Sequence, residues 1–159
     1  MTYFGPDILP TMADHKHHFS IVLPYTPISQ NDKEWRSRWP RSKYKAAVER
    51  DVWALCKAQK IPYLEQVYLI ATIYFPDHKR RDLDNYHAPL FKSFQDGLEA
   101  AGVISKDDTR YIPELPRLRF DFDKENPRTE ITICGIMPSA GETLPELLSG
   151  AVANSPANT

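Results

Sequence analysis

The stretch QVYLIATIYFPDHKRRDLDNYHAPLFKSFQDGLEAAG, residues 66–102, decides the fold. It opens with a continuous β-branched and aromatic run, which reads as a central strand over 66–76. Toward its end Leu90, Phe91, Phe94, Leu98 and Ala101 recur at three- and four-residue intervals. That spacing predicts a helix from about Pro89 to Ala101, with Pro89 in its first turn and Gly102 as its stop. The connector between them carries Asp82 and Asp84 two residues apart, behind Lys79, Arg80 and Arg81. Carboxylates held this close repel one another, so the connector needs a chemical reason.

Working outward, FSIVLP (19–24) reads as a first strand, and the Pro- and Ser-rich segment after it as a long loop. Between Ser42 and Lys60 the positions Tyr44, Ala47, Val48, Val52, Leu55 and Cys56 form one apolar stripe of a helix that stops before Pro62. PRLRFDFD (116–123) alternates Leu118, Phe120 and Phe122 inward with Arg117, Arg119 and Asp121 outward. RTEITICGIMP (128–138) is expected to pair with it, DKENP making the hairpin turn. The order β-α-β-α-β-β predicts an α/β (α+β) fold, a mixed sheet with two main helices packed on it. Residues 1–17 read as a loose arm and 18–137 as one domain. Residues 138–159, rich in Ser, Gly, Ala, Pro and Asn, read as a disordered tail in which LPELLSGAV forms at most a transient helix.

Bulk composition narrows the function classes. The 159 residues are 42% hydrophobic and 26% charged, with a formal net charge of −1, which predicts no generic polyanion binder. Two isolated cysteines, Cys56 and Cys134, argue against a zinc ribbon and for core positions in a reducing compartment. No apolar run reaches the ~18 residues of a membrane span, and the N-terminus lacks a signal-peptide pattern, so a cytoplasmic protein without a membrane partner is expected. Charge is nevertheless segregated. Lys33, Arg36, Arg38, Arg41, Lys43, Lys45, Arg50, Lys57 and Lys60 crowd one segment, and with His78, Lys79 and Arg80 they are candidates for contacts to a DNA backbone. Trp35 and Trp39, in the same segment, either stack on an unpaired base or pack the loop onto the sheet. His15, His17 and His18 lack companions at ligand spacing and read as polar residues of the arm.

In an extended or turn segment, residues i and i+2 point to one side about 6.5 Å apart. Two carboxylates brought to ~4 Å repel by ~4 kcal/mol at an effective dielectric of about 20, and a divalent cation reverses the sign. Aspartate oxygens suit Mg²⁺, with Mn²⁺ as substitute, and Asp108, just after the second helix, is the candidate third ligand. Such a site activates water and polarises a phosphate, and Arg81 and Lys92 are the nearby cations that would steady it. An EF-hand reading fails, because Tyr86 and His87 stand where a ligand and a glycine are needed.

RRDLDN followed by KSFQDGLEAAGVISKDD strongly resembles the RusA-like Holliday junction resolvases, and LPYTPISQN resembles that family's strand-loop through Leu23, Pro24, Pro27, Ser29 and Asn31. The resemblance spans about residues 19–136. It implies a homodimeric, Mg²⁺-dependent endonuclease that nicks four-way DNA junctions symmetrically, with Asp82, Asp84 and Asp108 binding the metal. One departure stands out. The family's lysine follows the asparagine by three residues, where this chain has Ala88; alignment moves the lysine to Lys92, one helical turn further on. Two other readings compete. One is a DNA-junction binder without turnover; the other is a D-x-D glycosyltransferase, for which the chain lacks a nucleotide-binding half. An aspartyl phosphatase would want its D-x-D at the strand's end, not several residues beyond Phe75.

Overall fold

A computed structural model describes residues 17–138. The N-terminal arm before His17 and the C-terminal tail after Pro138 lie outside the described residues. Seven elements follow in order: β1 (His17–Leu23), α1 (Lys33–Arg36), α2 (Arg38–Ala58), β2 (Gln66–Phe75), α3 (Asp84–Ala100), β3 (Arg117–Phe122) and β4 (Arg128–Ile136). The class is mixed α and β, as the periodicities predict. No described helix is long and apolar enough to cross a membrane.

The sheet order is β1-β4-β2-β3, with β4 antiparallel to both neighbours and β2 parallel to β3. The expected β3–β4 hairpin is therefore absent. DKENP carries the chain past β2 instead, and β4 inserts between β1 and β2, where Ile131 and Ile133 are fully buried. The amphipathic β3, half-exposed along most of its length, takes the edge. Burial decides this arrangement: the most apolar strands occupy the centre.

One sheet face carries the core. Ile21, Leu23, Leu69, Ala71, Ile73, Ile131 and Ile133 meet Val48, Val52 and Cys56 of α2 and Leu90, Phe91, Phe94 and Leu98 of α3. Cys56 and Cys134 are buried free thiols, as expected, and burial pushes the Cys56 thiol up to about 11. The opposite face is only half-covered, so β2 alternates strictly between buried and intermediate positions. Gly97 allows the two helices to touch: a β-carbon there would lie 2.7 Å from Val52 Cβ.

Both helices begin earlier than their apolar stripes. Helix α2 starts at Arg38, so Pro40, Arg41 and the exposed Trp39 are its first turn and not loop; a proline is tolerated there because the first amides have no intrahelical acceptor. Helix α3 starts at Asp84 and runs through Pro89 without breaking. His17 and His18 belong to β1 and not to the arm.

Candidate active site

The route to the site begins with Pro89. A proline inside a helix has no N–H to give the carbonyl four residues back, here that of Asn85. That carbonyl accepts a hydrogen bond from the Gln30 amide instead, at 2.8 Å. The proline thus frees an acceptor that ties the loop between β1 and α1 to the first turn of α3. Within that loop the Ser29 amide donates to the Asp32 carboxylate at 2.7 Å and the Asn31 amide to Ser29 Oγ at 3.1 Å, which folds the chain toward α1. Tyr25 anchors its start: the hydroxyl donates to Asp51 at 2.9 Å, and Thr129 Oγ1 donates to the Tyr25 carbonyl at 2.8 Å. Burial, then the Asp51 carboxylate, raise the Tyr25 hydroxyl pKa well above its usual range. None of these ties is a motif; each needs the folded chain to be seen.

The connector after β2 has its own brace. Arg81 donates to the Asp77 carboxylate at 2.6 Å and to the carbonyls of Asp77 and Lys79 at 3.2 and 3.1 Å. Its guanidinium lies 3.9 Å from the centre of the Phe75 ring, with only 15% of the side chain exposed. The hydrogen bond from Arg81, with the Lys79 amide, holds the Asp77 carboxyl below the usual carboxylate range. Arg81 therefore shapes the loop; Lys79 and Arg80 are the cations it leaves exposed.

Asp82 and Asp84 follow at the start of α3, beyond the carboxyl end of β2. Leu83 between them is helical (φ −53°, ψ −42°), and the Asp82 carbonyl already accepts from the Asn85 amide at 3.1 Å. The i, i+2 alternation of an extended chain does not apply here, because helical residues two apart do not share a face. Asp84 sits in the first turn, where the helix dipole favours a negative charge. Ala88 and Lys92 continue the face of Asp84 at four-residue steps, so Lys92 stands about 12 Å along the axis. Its side chain is exposed.

Asp108 is elsewhere. Its carbonyl accepts from the Tyr111 and Ile112 amides, and the Tyr111 carbonyl accepts from the amide of Val67, at the beginning of β2. Asp82 and Asp84 follow the other end of that strand. The Asp108 carboxylate pairs with Arg110 at 2.6 Å, and that hydrogen bond holds its pKa below the usual range. Among the described residues no three His, Cys, Asp or Glu side chains gather as a metal-binding group.

The basic residues divide as well. Arg36 reaches Asn31 Oδ1 at 3.3 Å, and Arg41 lies 5.8 Å from the Trp35 ring centre. Trp35 packs edge-on against Tyr44 at 6.5 Å, whereas Trp39 is 76% exposed beside the solvent-facing Arg38 and Lys43. The β1–α1 loop meets the first turn of α3 through the Gln30 amide and the Asn85 carbonyl, and the 77–82 connector leads directly into that turn. No family model and no curated protein matches the chain.

Proposed function

We propose that the chain is a metal-dependent endonuclease acting on branched DNA as a homodimer. The observation that carries this reading is the exposed pair Asp82 and Asp84 behind the exposed Lys79 and Arg80, at an end of α3 to which the β1–α1 loop is bonded. Lys79 and Arg80 precede the aspartates directly, and the Gln30–Asn85 bond ties to the same end of α3 the loop that leads on to Arg36, Arg38, Arg41 and Lys43. A phosphodiester backbone drawn to these cations would pass the two carboxylates.

Mg²⁺ is compatible with this donor set in part, since it is held by one or two carboxylates together with waters and substrate phosphate oxygens. Once bound, it would supply a polarised phosphate and an activated water. The remaining work falls to the chain. Lys92 neutralises charge on the phosphate from the Asp84 face of α3, Arg81 keeps the connector in shape, and the basic loop orients the strand. Among the described residues Asp108 does not join Asp82 and Asp84 in a metal-binding group. A two-fold dimer carries a second Asp108, and it matches the symmetry that paired nicks on a four-way junction require.

Nicking of a synthetic four-way junction in Mg²⁺ tests the reading, with linear duplex alongside. Asp82→Asn is expected to lose at least a hundredfold in rate while keeping its affinity, which should fall steeply with added salt. Equal rates for the two proteins remove Asp82 from the chemistry. The separation of Asp108 from the aspartate pair favours a second reading, a junction-binding protein without turnover. Tight junction binding with no nicking in either Mg²⁺ or Mn²⁺ would assign it.

A further inference from the structure

A recess of about 300 Å³ opens at the carboxyl ends of the parallel strands β2 and β3, lined by the connector and β3. Its floor is aromatic: Phe75 meets Phe120 edge-to-face at 5.0 Å. At its mouth the His78 and Phe122 rings stack nearly parallel, 3.9 Å between centres and 25° between planes. Both belong to exposed residues, and Phe122 is 38% exposed at the end of an edge strand. An exposed phenylalanine with a stacked imidazole gives the fold little, because neither ring is covered by the core.

The chemistry around the rings is that of a nucleotide site. Lys79 has 80% of its side chain exposed, and Arg80 beside it is exposed too. The Asp77 carboxylate is occupied by Arg81 at 2.6 Å and faces Lys79 at 3.6 Å; the Asp121 carboxylate accepts the Phe122 amide at 2.8 Å. A flat ring can extend the His78–Phe122 stack while its phosphate meets Lys79 and Arg80. Bases inside a duplex are covered on both faces, so only an unpaired one fits this demand.

We propose that this recess receives one unpaired nucleobase of bound DNA, stacked on the His78–Phe122 pair. The inference deepens the branched-DNA reading and rests on it, since a crossover is where such a base is presented beside Asp82. The site is lined by the connector and β3, and Trp39 is not part of its lining.

The test uses the full chain with three probes: a four-way junction, a paired duplex of equal length and a single-stranded oligonucleotide. His78→Ala and Phe122→Leu each remove one ring, the second keeping apolar volume. Each is expected to weaken junction and single-strand binding about tenfold, with duplex binding within twofold of wild type. Unchanged affinity for both unpaired probes overturns the recess, even where the wild type prefers the junction. If the wild type shows no junction preference, the branched-DNA reading fails on its own, and the single-strand arm still decides the recess. Wild-type protein cross-linked through 5-iodouracil at the crossover needs no variant to fold. Adducts on His78 or Phe122 support the assignment, and adducts confined to Trp39 overturn it.

Discussion

The two ends of α3 both carry paired aspartates close by, and the fold treats them in opposite ways. At the C-terminal end the helix stop is closed by its own backbone. Gly102 takes φ +75°, its amide donates to the Glu99 carbonyl at 3.0 Å, and the Val103 amide donates to that of Leu98 at 3.0 Å. This is the left-handed termination in which both orphan carbonyls find partners. Asp108 beyond it is latched to Arg110. At the N-terminal end no side chain caps the helix, and among the described residues neither Asp82 nor Asp84 joins an ion pair. What fixes that end is a backbone bond from a distant loop. Asp108 is paired within its own turn, whereas Asp82 and Asp84 stand exposed with no ion pair among the described residues.

The middle of α3 serves both ends, so breaking it gives the largest effect. Phe94 is fully buried between the sheet and α2. Phe94→Ala is expected to cost about 3–5 kcal/mol in denaturant unfolding, with junction binding and thermal stability failing together. Retained binding in a protein so destabilised would mean that the N-terminal end does not depend on the helix.

Gly102→Ala separates the ends. A β-carbon there meets nothing within 4 Å, so the penalty is conformational alone, about 1–2 kcal/mol for a left-handed residue with a side chain. Stability should fall by that amount and DNA binding at moderate temperature should not change. A parallel loss of binding would show that the C-terminal closure positions the aspartates as well.

Much of this contrast is legible in the residues, and the gaps have physical causes. Gly102 is readable because only glycine is comfortable where that helix must stop. The apolar stripes of α2 and α3 place their cores correctly, yet both starts fall short, since a first turn is polar and carries no stripe. Pro89 reads naturally as a first-turn residue; that it sits in the second turn depends on Gln30, far away in sequence, taking the Asn85 carbonyl. The β3–β4 pairing misleads for a similar reason. A short turn between two strands suggests a hairpin, but competition for the buried centre of the sheet puts β4 beside β2 on the other side. At the site, the residue types are visible and their distances are not: nothing local in KDD says that Asp108 turns back to Arg110.

Pro89→Ala sharpens the account of the N-terminal end. Alanine restores an N–H that competes for the Asn85 carbonyl, and one such hydrogen bond contributes about 1 kcal/mol. Amide exchange at Gln30 is expected to accelerate about fivefold, while the melting temperature holds or rises because a helix-interior proline is gone. Unaltered protection at Gln30 would show that the loop is held by its other ties, through Tyr25 and Asp51.

The smallest effect should come from the pair that looks most like a salt bridge. Arg110 holds the Asp108 carboxyl below its unfolded value of about 3.9. A depressed folded pKa contributes stability that is complete above the unfolded value and is lost as pH falls through the folded one. Because the pair is exposed, solvent screens it. Melting curves in EDTA for wild type and Asp108→Asn should therefore differ slightly at pH 6 and converge as the pH falls through the lowered folded pKa, where the wild-type carboxyl takes up its proton. A difference that persists into acid would trace the effect to the turn at Arg110 and not to charge. The same variant also addresses the two ends as a whole. If Asp108 only closes its own turn, junction nicking in Mg²⁺ survives the substitution nearly intact. If a partner copy brings it to Asp82 and Asp84, nicking collapses while the melting temperature barely moves, and the two ends of α3 become parts of one site across the dimer.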